Sequence, residues 1–249
     1  MSLFKKFFIK LRWATLSLIS TLISRYKINS EFSSIKISIS NVHELQRGLT
    51  FFSKEPDTLE WIESMMDSEI TLLDIGANIG IYSLYFAALS PGGKVISLEP
   101  DASSFVSLVK NISINNLKNI SPRLVAASNQ NTFINLDLSE YEPGAGAGSI
   151  DGPYMFTNKK SIPIKQPVMA VKLDNFLENE ETLKKPFAIK IDVDGHESSI
   201  LEGAEYTLRN PNLKTLIIEL NTKSNEELDQ IITNLSESGL ELIGRGCWE

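Results

Sequence analysis

The feature that most constrains this chain is an apolar run that breaks into glycines and then resumes with a helical pattern. The run covers residues 71–75, the glycines are Gly76 and Gly80, and apolar residues return over 81–89. Glycine tolerates positive φ angles and lets a ligand lie against bare backbone. The pattern therefore predicts a buried strand, a tight turn and a helix, the unit that holds a nucleoside-bearing cofactor over the end of a parallel sheet.

A second strand supports this interpretation. Residues 94–98 form a short apolar run that ends at Glu99, roughly 20 positions beyond the turn. A carboxylate at that place accepts hydrogen bonds from ribose hydroxyls. The alternative is a strand-to-helix connection that binds nothing, since short glycine motifs also occur where no ligand sits.

The polar residues of the turn indicate which cofactor it binds. The Gly-x-Gly-x-x-Gly spacing of dinucleotide sites is absent, whereas Asp74 ends the strand and Asn78 lies within the turn. A carboxylate would repel a pyrophosphate, while both side chains suit an amino-acid portion and a ribose. The turn therefore favours S-adenosylmethionine over a nicotinamide dinucleotide.

Composition excludes several other classes of protein. The formal net charge of −7 argues against a nucleic-acid surface, which needs a Lys- and Arg-rich face. The single cysteine, Cys247, excludes an internal disulfide and a clustered Cys/His zinc site, and it fits a reducing compartment. A chain of 249 residues is long enough for one catalytic domain with an appendage.

The N-terminal region differs from the rest of the chain. Basic residues precede an uncharged run, and over residues 3–24 one helical face carries Phe4, Phe8, Leu11, Leu18 and Leu22. The run is too short to span a membrane. It predicts either an amphipathic helix lying in a membrane interface or a helix packed on the domain or on a partner. We divide the chain into this helix with an edge-capping segment, residues 1–50, and a catalytic domain, residues 51–249.

Further elements follow from hydrophobic periodicity and turn residues. The pattern predicts helices over residues 56–66, 103–115 and 226–238, strands over 124–128, 168–173, 215–220 and 240–243, and a glycine-rich loop over 140–149. Because long loops in compact domains usually carry function, we interpret this loop as a lid over the site, with a surface excursion as the alternative.

A second chemical cluster follows a buried strand at residues 188–191. Asp192, Asp194, His196 and Glu197 crowd four ionisable groups around the turn at Gly195. Such groups at the carboxyl end of a parallel strand indicate a cation, a shared proton or catalysis. Helix capping by Asp194 and a solvated Glu197 is the alternative for two of them.

Together these motifs resemble the FkbM-type methyltransferase family over residues 51–219. The resemblance is carried by the turn at 74–80, the strand end Leu98-Glu99-Pro100 and the run Lys190-Ile191-Asp192-Val193-Asp194-Gly195-His196-Glu197. It implies an α/β fold, a Rossmann-like class I methyltransferase sheet of seven strands that is mostly parallel and doubly wound, with an N-terminal helical extension here. The family's sheet closes with an antiparallel hairpin, for which few residues follow Leu242.

The resemblance also implies roles for individual residues. Family members often carry Glu where Asp194 stands, and some carry an acidic residue where this chain has Ser128 beside the adenine. The donor's methionine and ribose would meet Asp74, Gly76, Asn78 and Gly80, and Glu99 would bind the ribose hydroxyls.

Members of this family are O-methyltransferases that act on glycans or secondary metabolites, and the form seen here is similar to enzymes of bacterial surface-polysaccharide synthesis. We therefore expect a cytoplasmic enzyme with a small-molecule or glycan acceptor, peripheral at the inner face of the membrane if residues 3–24 bind lipid.

An alcohol needs a general base at neutral pH. Our hypothesis gives the proton to His196 or Asp192, with Asp194 and Glu197 orienting hydroxyls; Asp192 and Asp194 are the candidate ligands of a divalent cation. The alternatives are an NAD-dependent sugar oxidoreductase and a non-catalytic Rossmann-like module of a glycan-synthesis assembly.

Overall fold

The computed structural model describes residues 3–138, 141–146, 148–150, 164–178, 181–220 and 224–246, with backbone alone for 3–10, 148–150 and 182. In chain order the elements are α1 (Leu3–Leu22), β1 (Arg25–Asn29), β2 (Ser34–Ser38), α2 (Val42–Leu49), α3 (Phe51–Lys54), α4 (Pro56–Glu63), β3 (Thr71–Ile75), α5 (Ile81–Leu89), β4 (Lys94–Leu98), α6 (Ala102–Asn115), β5 (Ile120–Arg123), β6 (Ala126–Ser128), β7 (Thr132–Leu138), β8 (Gly148–Ile150), β9 (Ile164–Lys172), α7 (Leu173–Leu177), a 3₁₀ turn (Glu181–Lys184), β10 (Phe187–Ile191), α8 (Glu197–Glu202), α9 (Glu205–Leu208), β11 (Leu213–Ile218) and α10 (Asn225–Glu237).

The main sheet is parallel and doubly wound, as predicted. Its strands lie in the order β11-β10-β3-β4-β5, and every residue of the central strands β3 and β10 is buried. The strand order reverses between β3 and β10, and ligands of open α/β sheets bind in the crevice at such a point. In the described part of the chain this sheet has five strands rather than the seven that the resemblance implies.

The sheet has a hydrophobic cluster on each side. One cluster joins α4, α5 and the N-terminal hairpin around Phe51, Tyr85 and Phe86. The other joins α7, α8 and α9 around Leu177, Phe187 and Ile200. Because helices cover both faces, the central strands are continuous apolar runs rather than alternating ones.

A second sheet corrects the prediction of a strand over residues 124–128. The third strand of the main sheet is β5, which ends at Arg123, and residues 126–128 instead pair with β9 in a sheet of order β6-β9-β7-β8. The sequence pattern did not predict β5 because it contains Pro122, and proline is depleted in strands. Proline is tolerated here because β5 is an edge strand.

The N-terminal segment does not take the predicted place at an edge of the main sheet. Strands β1 and β2 pair with each other as an antiparallel hairpin. This hairpin docks on α6, where the Asn111 and Asn115 side chains accept hydrogen bonds from the backbone N–H groups of Ser38 and Lys36, both at 2.7 Å. The segment therefore covers a helix layer and not a strand edge.

Helix α1 has a packed side and an exposed side. The Trp13 ring lies 5.6 Å from the His43 ring, and Leu16 packs against the core. Leu11, Leu18 and Leu22 of the predicted apolar face are exposed, whereas the side chains of Phe4 and Phe8 lie outside the described residues. Within the described chain, no helix has the length and apolarity needed to cross a membrane.

The C-terminal predictions divide into one success and one error. Helix α10 is confirmed, and Ser224 caps it by accepting a hydrogen bond from the Glu227 N–H. Residues 240–243 do not form the predicted strand. Ile243 is 93% exposed, so an apolar run alone did not supply a pairing partner.

Candidate cofactor and catalytic site

The glycine turn after β3 is shaped by three residues with positive φ. Gly76, Asn78 and Gly80 have φ angles of +81°, +53° and +83°. A Cβ on Gly76 would lie 1.9 Å from the backbone oxygen of Asp192, and one on Gly80 would lie 2.2 Å from Leu108 Cδ1. Glycine is required at position 76, where the turn packs against the backbone at the end of β10, and it is favoured at position 80 by the positive φ and the contact with Leu108.

Glu99 joins this turn to the end of β4. One carboxylate oxygen accepts a hydrogen bond from the Asn78 N–H at 2.6 Å, and the other accepts from the Asp101 N–H at 2.7 Å. The side chain is buried, and burial raises the pKa of Glu99 to about 8. Each oxygen of a carboxylate has a second lone pair, so Glu99 retains acceptor capacity for ligand hydroxyls.

Beneath the turn lies a buried ionic layer centred on Lys190. Its ammonium is 3.0 Å from an Asp192 oxygen, 3.9 Å from an Asp74 oxygen and 4.9 Å from the centre of the Tyr82 ring. Burial disfavours the ammonium, but the two carboxylates outweigh it and raise the pKa of Lys190. Burial likewise acts to raise the pKa of Asp192, and Lys190 reverses that effect and lowers it.

Asp74 belongs to this layer rather than to a ligand surface. It is 1% exposed, and it accepts a hydrogen bond from the Ser83 hydroxyl at 2.5 Å. The same hydroxyl lies 2.7 Å from the Ser97 hydroxyl. Burial raises the pKa of Asp74. Its contacts in the described structure are with α5 and β10, and its Oδ1 atom is buried without a hydrogen-bond partner there.

A cavity opens at the carboxyl ends of the main-sheet strands. Its walls come from the turn after β3, the end of β4, strand β6, the loop at residues 142–146 and the turn after β10. The residues around it are Ile75, Gly76, Asn78, Leu98, Glu99, Pro100, Asp101, Ser104, Val125, Ala126, Ala127, Leu136, Leu138, Glu142, Ala145, Gly146, Asp192, Val193, Asp194, His196 and Ile200.

Six of the ten predicted site residues line this cavity, namely Gly76, Asn78, Glu99, Asp192, Asp194 and His196. The other four, Asp74, Gly80, Ser128 and Glu197, do not line it.

Two of these four make contacts that hold the wall in place. The Ser128 hydroxyl is 3.4 Å from that of Ser199, and Glu197 accepts a hydrogen bond from the Gly195 N–H at 3.0 Å. The structure thus brings the two sequence clusters together around one space.

Three carboxylates meet beside the cavity. Oxygens of Glu55, Asp192 and Glu219 lie within 4.8 Å of one another. Burial raises the pKa of Glu219 to about 7, and Asp192 adds to that effect. Of the predicted cation ligands, Asp192 belongs to this group and Asp194 does not.

Ammonium groups already lie against this cluster. Lys54 pairs with Glu55, and Lys190 pairs with Asp192. Sequence reasoning missed Glu55 and Glu219 as parts of the site. The available signal was that Glu219 follows β11 as Asp192 follows β10.

The predicted lid lies at the cavity over its described part. Glu142, Ala145 and Gly146 line the cavity. The Asn41 side chain donates to the Pro143 carbonyl at 2.9 Å, and the Gly144 N–H donates to the Ser104 hydroxyl at 3.2 Å. Residues 140 and 147 of the predicted loop lie outside the described residues, and 148–149 belong to strand β8.

Comparison with known proteins agrees with this arrangement. The family model described as a methyltransferase FkbM domain matches residues 74–241. Methyltransferase 1 of Beauveria bassiana is 22% identical over 54% of this chain and 58% of its own length, so the chain spans little more than half of that relative. The hexuronic acid methyltransferase AglP of Haloferax volcanii is 26% identical over 84% of both chains.

A similar solved structure is the methyltransferase domain of METTL16. It is 15% identical, with a TM-score of 0.48 over 90% of this chain and 82% of that one. The assignment of the fold rests on the strand order described above.

Proposed function

The chain belongs to the FkbM family of S-adenosylmethionine-dependent methyltransferases, and from that premise we propose that it methylates a hydroxyl of a sugar or surface glycan. The observation that carries the proposal is the shared cavity. Asn78 of the cofactor turn and Glu99 at the end of β4 face the same space as Asp192 and His196, so a donor and an acceptor have room to meet there.

The residues present fit the proposed donor. The bare backbone at Gly76 leaves a surface that a side chain would block, and Glu99 keeps acceptor capacity in a buried wall. Val125, Ala126 and Ala127 supply an apolar wall that suits an adenine ring. We assign the ribose to Glu99 and the amino-acid portion to the region of Asn78. When bound, S-adenosylmethionine supplies a methyl group activated on a sulfonium.

In the proposed mechanism, the protein aligns the acceptor and removes its proton. Alignment of the reacting groups in an enclosed pocket contributes much of the rate enhancement of such a displacement. We place the proton on a ring nitrogen of His196, since imidazole has an unperturbed pKa near neutrality. Asp192 is the weaker base because Lys190 lowers its pKa against the effect of burial. Asp192 and Asp194 then accept hydrogen bonds from acceptor hydroxyls.

A sugar acceptor is supported by the relative of this chain that is named a hexuronic acid methyltransferase. Carboxylates at the cavity also suit a polyol, because they accept hydrogen bonds from several hydroxyls at once. A secondary metabolite with a free hydroxyl is the other acceptor class within this proposal. A cytoplasmic location, with α1 at the inner face of the membrane, remains a prediction.

The proposal is tested by incubating the purified chain with labelled S-adenosylmethionine and a panel of nucleotide sugars, uronic acids and surface glycans. Transfer of label to one acceptor, detected as the mass of one added methyl group, is the expected result. Calorimetry with S-adenosylmethionine and with NAD provides the control. Binding of NAD in place of the methyl donor would overturn the proposal and favour an oxidoreductase.

A further inference from the structure

Helix α2 lies outside the matched family region and is held rigidly beside the cavity. Glu44 on this helix is fully buried, and its carboxylate accepts hydrogen bonds from the Ser40 N–H at 2.6 Å and the Ser107 hydroxyl at 2.6 Å. Leu45 is 1% exposed, and the backbone at Gly48 packs against Tyr26. These contacts fix the helix from which the Arg47 side chain extends.

Arg47 reaches from this helix over the glycine-rich loop. Its Nε donates a hydrogen bond to the Gly144 carbonyl at 2.7 Å, and its Nη2 lies beside Gly146. Within the described residues, no carboxylate oxygen lies within 4.0 Å of the guanidinium. Among the described residues, the two Nη groups of this half-buried guanidinium have no hydrogen-bond acceptor, so they can bind a ligand.

Gly146 lies between Arg47 and the cofactor turn. A Cβ on Gly146 would lie 2.8 Å from Arg47 Nη2 and 3.8 Å from Asn78 Nδ2. The amide of Asn78 is oriented because its Oδ1 accepts a hydrogen bond from the Ile79 N–H at 2.9 Å. The N–H donors of Arg47 and Asn78 thus lie on either side of a glycine that lines the cavity, and a side chain at residue 146 would crowd the guanidinium.

Arg47 brings a positive charge to a cavity that is lined by several carboxylates. Burial is the main influence on the pKa values of Glu99, Asp192 and Asp194, and the positive charge of Arg47 acts against it at all three. An anionic ligand would be repelled by these carboxylates without that cation. A guanidinium also matches the planar, two-oxygen geometry of a carboxylate.

We propose that Arg47 and the Asn78 amide, on either side of Gly146, form a carboxylate-binding site at the rim of the cavity. This inference rests on the proposed function and assigns a role within it. A carboxylate is present both on the amino-acid end of the methyl donor and on a uronic acid acceptor. The experiment below distinguishes these two sources.

The test uses the full chain carrying Arg47→Gln or Gly146→Ala, with Arg209→Gln as the control. Arg209 pairs with Glu205 on the surface, so its replacement removes the same charge far from the cavity. Calorimetry measures binding of S-adenosylhomocysteine and of methylthioadenosine, which lacks the amino-acid end. It then measures binding of glucuronate and glucose to protein saturated with S-adenosylhomocysteine. Thermal unfolding verifies that each variant is folded.

If Arg47→Gln and Gly146→Ala each lower the affinity for S-adenosylhomocysteine by about tenfold and leave the affinity for methylthioadenosine unchanged, the result supports the site and assigns it to the donor. If only the affinity for glucuronate falls and the affinity for glucose is unchanged, the result supports the site and assigns it to the acceptor. If the Arg47→Gln chain binds all four probes as the native chain does, the inference is overturned. A native chain that binds neither nucleoside overturns the proposed function as well.

Discussion

The Glu99 carboxylate accepts a hydrogen bond from the backbone N–H of Asn78 at 2.6 Å, although 21 residues separate the two in the chain. This contact ties the carboxyl end of β4 to the glycine turn that follows β3. It also leaves a buried carboxylate with a raised pKa at the wall of the cavity. Donor binding should therefore depend on the protonation state of Glu99.

We predict that affinity for S-adenosylhomocysteine rises with pH. Ribose hydroxyls donate to the ionised carboxylate, and the pKa of Glu99 is about 8 without ligand, so binding releases a proton below that pH. The expected gain is about tenfold between pH 7 and pH 9. Calorimetry across this range measures it. The Glu99→Gln chain should bind weakly and without this pH dependence; a native affinity that is flat across the range contradicts the assignment.

The ionisation of Glu99 should also affect folding stability, which should fall as pH rises, whereas donor affinity rises. Because the folded chain holds the Glu99 proton more tightly than the unfolded chain, stability should fall as pH rises from about 4.5 to about 8. The difference in unfolding free energy between the native chain and Glu99→Gln, measured in urea at several pH values, isolates this contribution. A difference that is constant over the window would show that the carboxyl is not perturbed.

Gly76→Ala should unfold the cofactor turn. The alanine Cβ would approach the Asp192 carbonyl oxygen to 1.9 Å, and the residue would also have to adopt a φ of +81°. Gly239→Ala is the matched control, because Gly239 has a φ of +89° and no atom within 4 Å of an added Cβ. Gly239→Ala should lower the free energy of unfolding by about 1 kcal/mol, and Gly76→Ala should lower it substantially more, as measured by urea unfolding. Equal costs would refute the close approach of the two backbones.

Lys190→Met should destabilise the chain by about 3 kcal/mol or more, since it leaves Asp74 and Asp192 without their buried cation. Lys184→Met, which removes an exposed ion pair with Glu181, should leave the unfolding free energy nearly unchanged. Urea unfolding compares the two. Adding Asp192→Asn to Lys190→Met should recover part of the loss, and additive costs would exclude coupling between these residues.

The pH dependence of this pair follows from the raised pKa of Lys190. Its stabilisation is fully present below the unfolded value of 10.5 and is lost as pH rises through the folded value. The stability difference between the native chain and Lys190→Met should therefore be constant near neutrality and shrink in strongly alkaline solution.

His196→Ala should lower the rate of methyl transfer by about 100-fold or more while binding S-adenosylhomocysteine as the native chain does. The reason is that His196 lines the cavity but is assigned to the acceptor's proton and not to the donor. Kinetics and calorimetry on the same preparation separate the two effects. Loss of donor affinity together with rate would move His196 from proton transfer to donor binding.

The sequence by itself determined the segments whose geometry is set locally. The apolar runs at residues 71–75 and 187–191 read as buried strands, and Gly76 and Gly80 mark positions where a side chain does not fit. The parallel order of these strands also follows from the alternation of strands and helices. These local patterns are enough to place six residues of the cavity at one edge of the sheet, namely Gly76, Asn78, Glu99, Asp192, Asp194 and His196.

Tertiary structure decided what distant segments contribute. Arg47 and Glu55 precede the glycine turn and Glu219 follows the last strand of the main sheet, so no local spacing relates them to the residues of the turn. It also decided that Asp74 faces Lys190 rather than the cavity. A strand buried on both faces carries no alternation that says which way a side chain points, and the direction is set by the helices packed on each side.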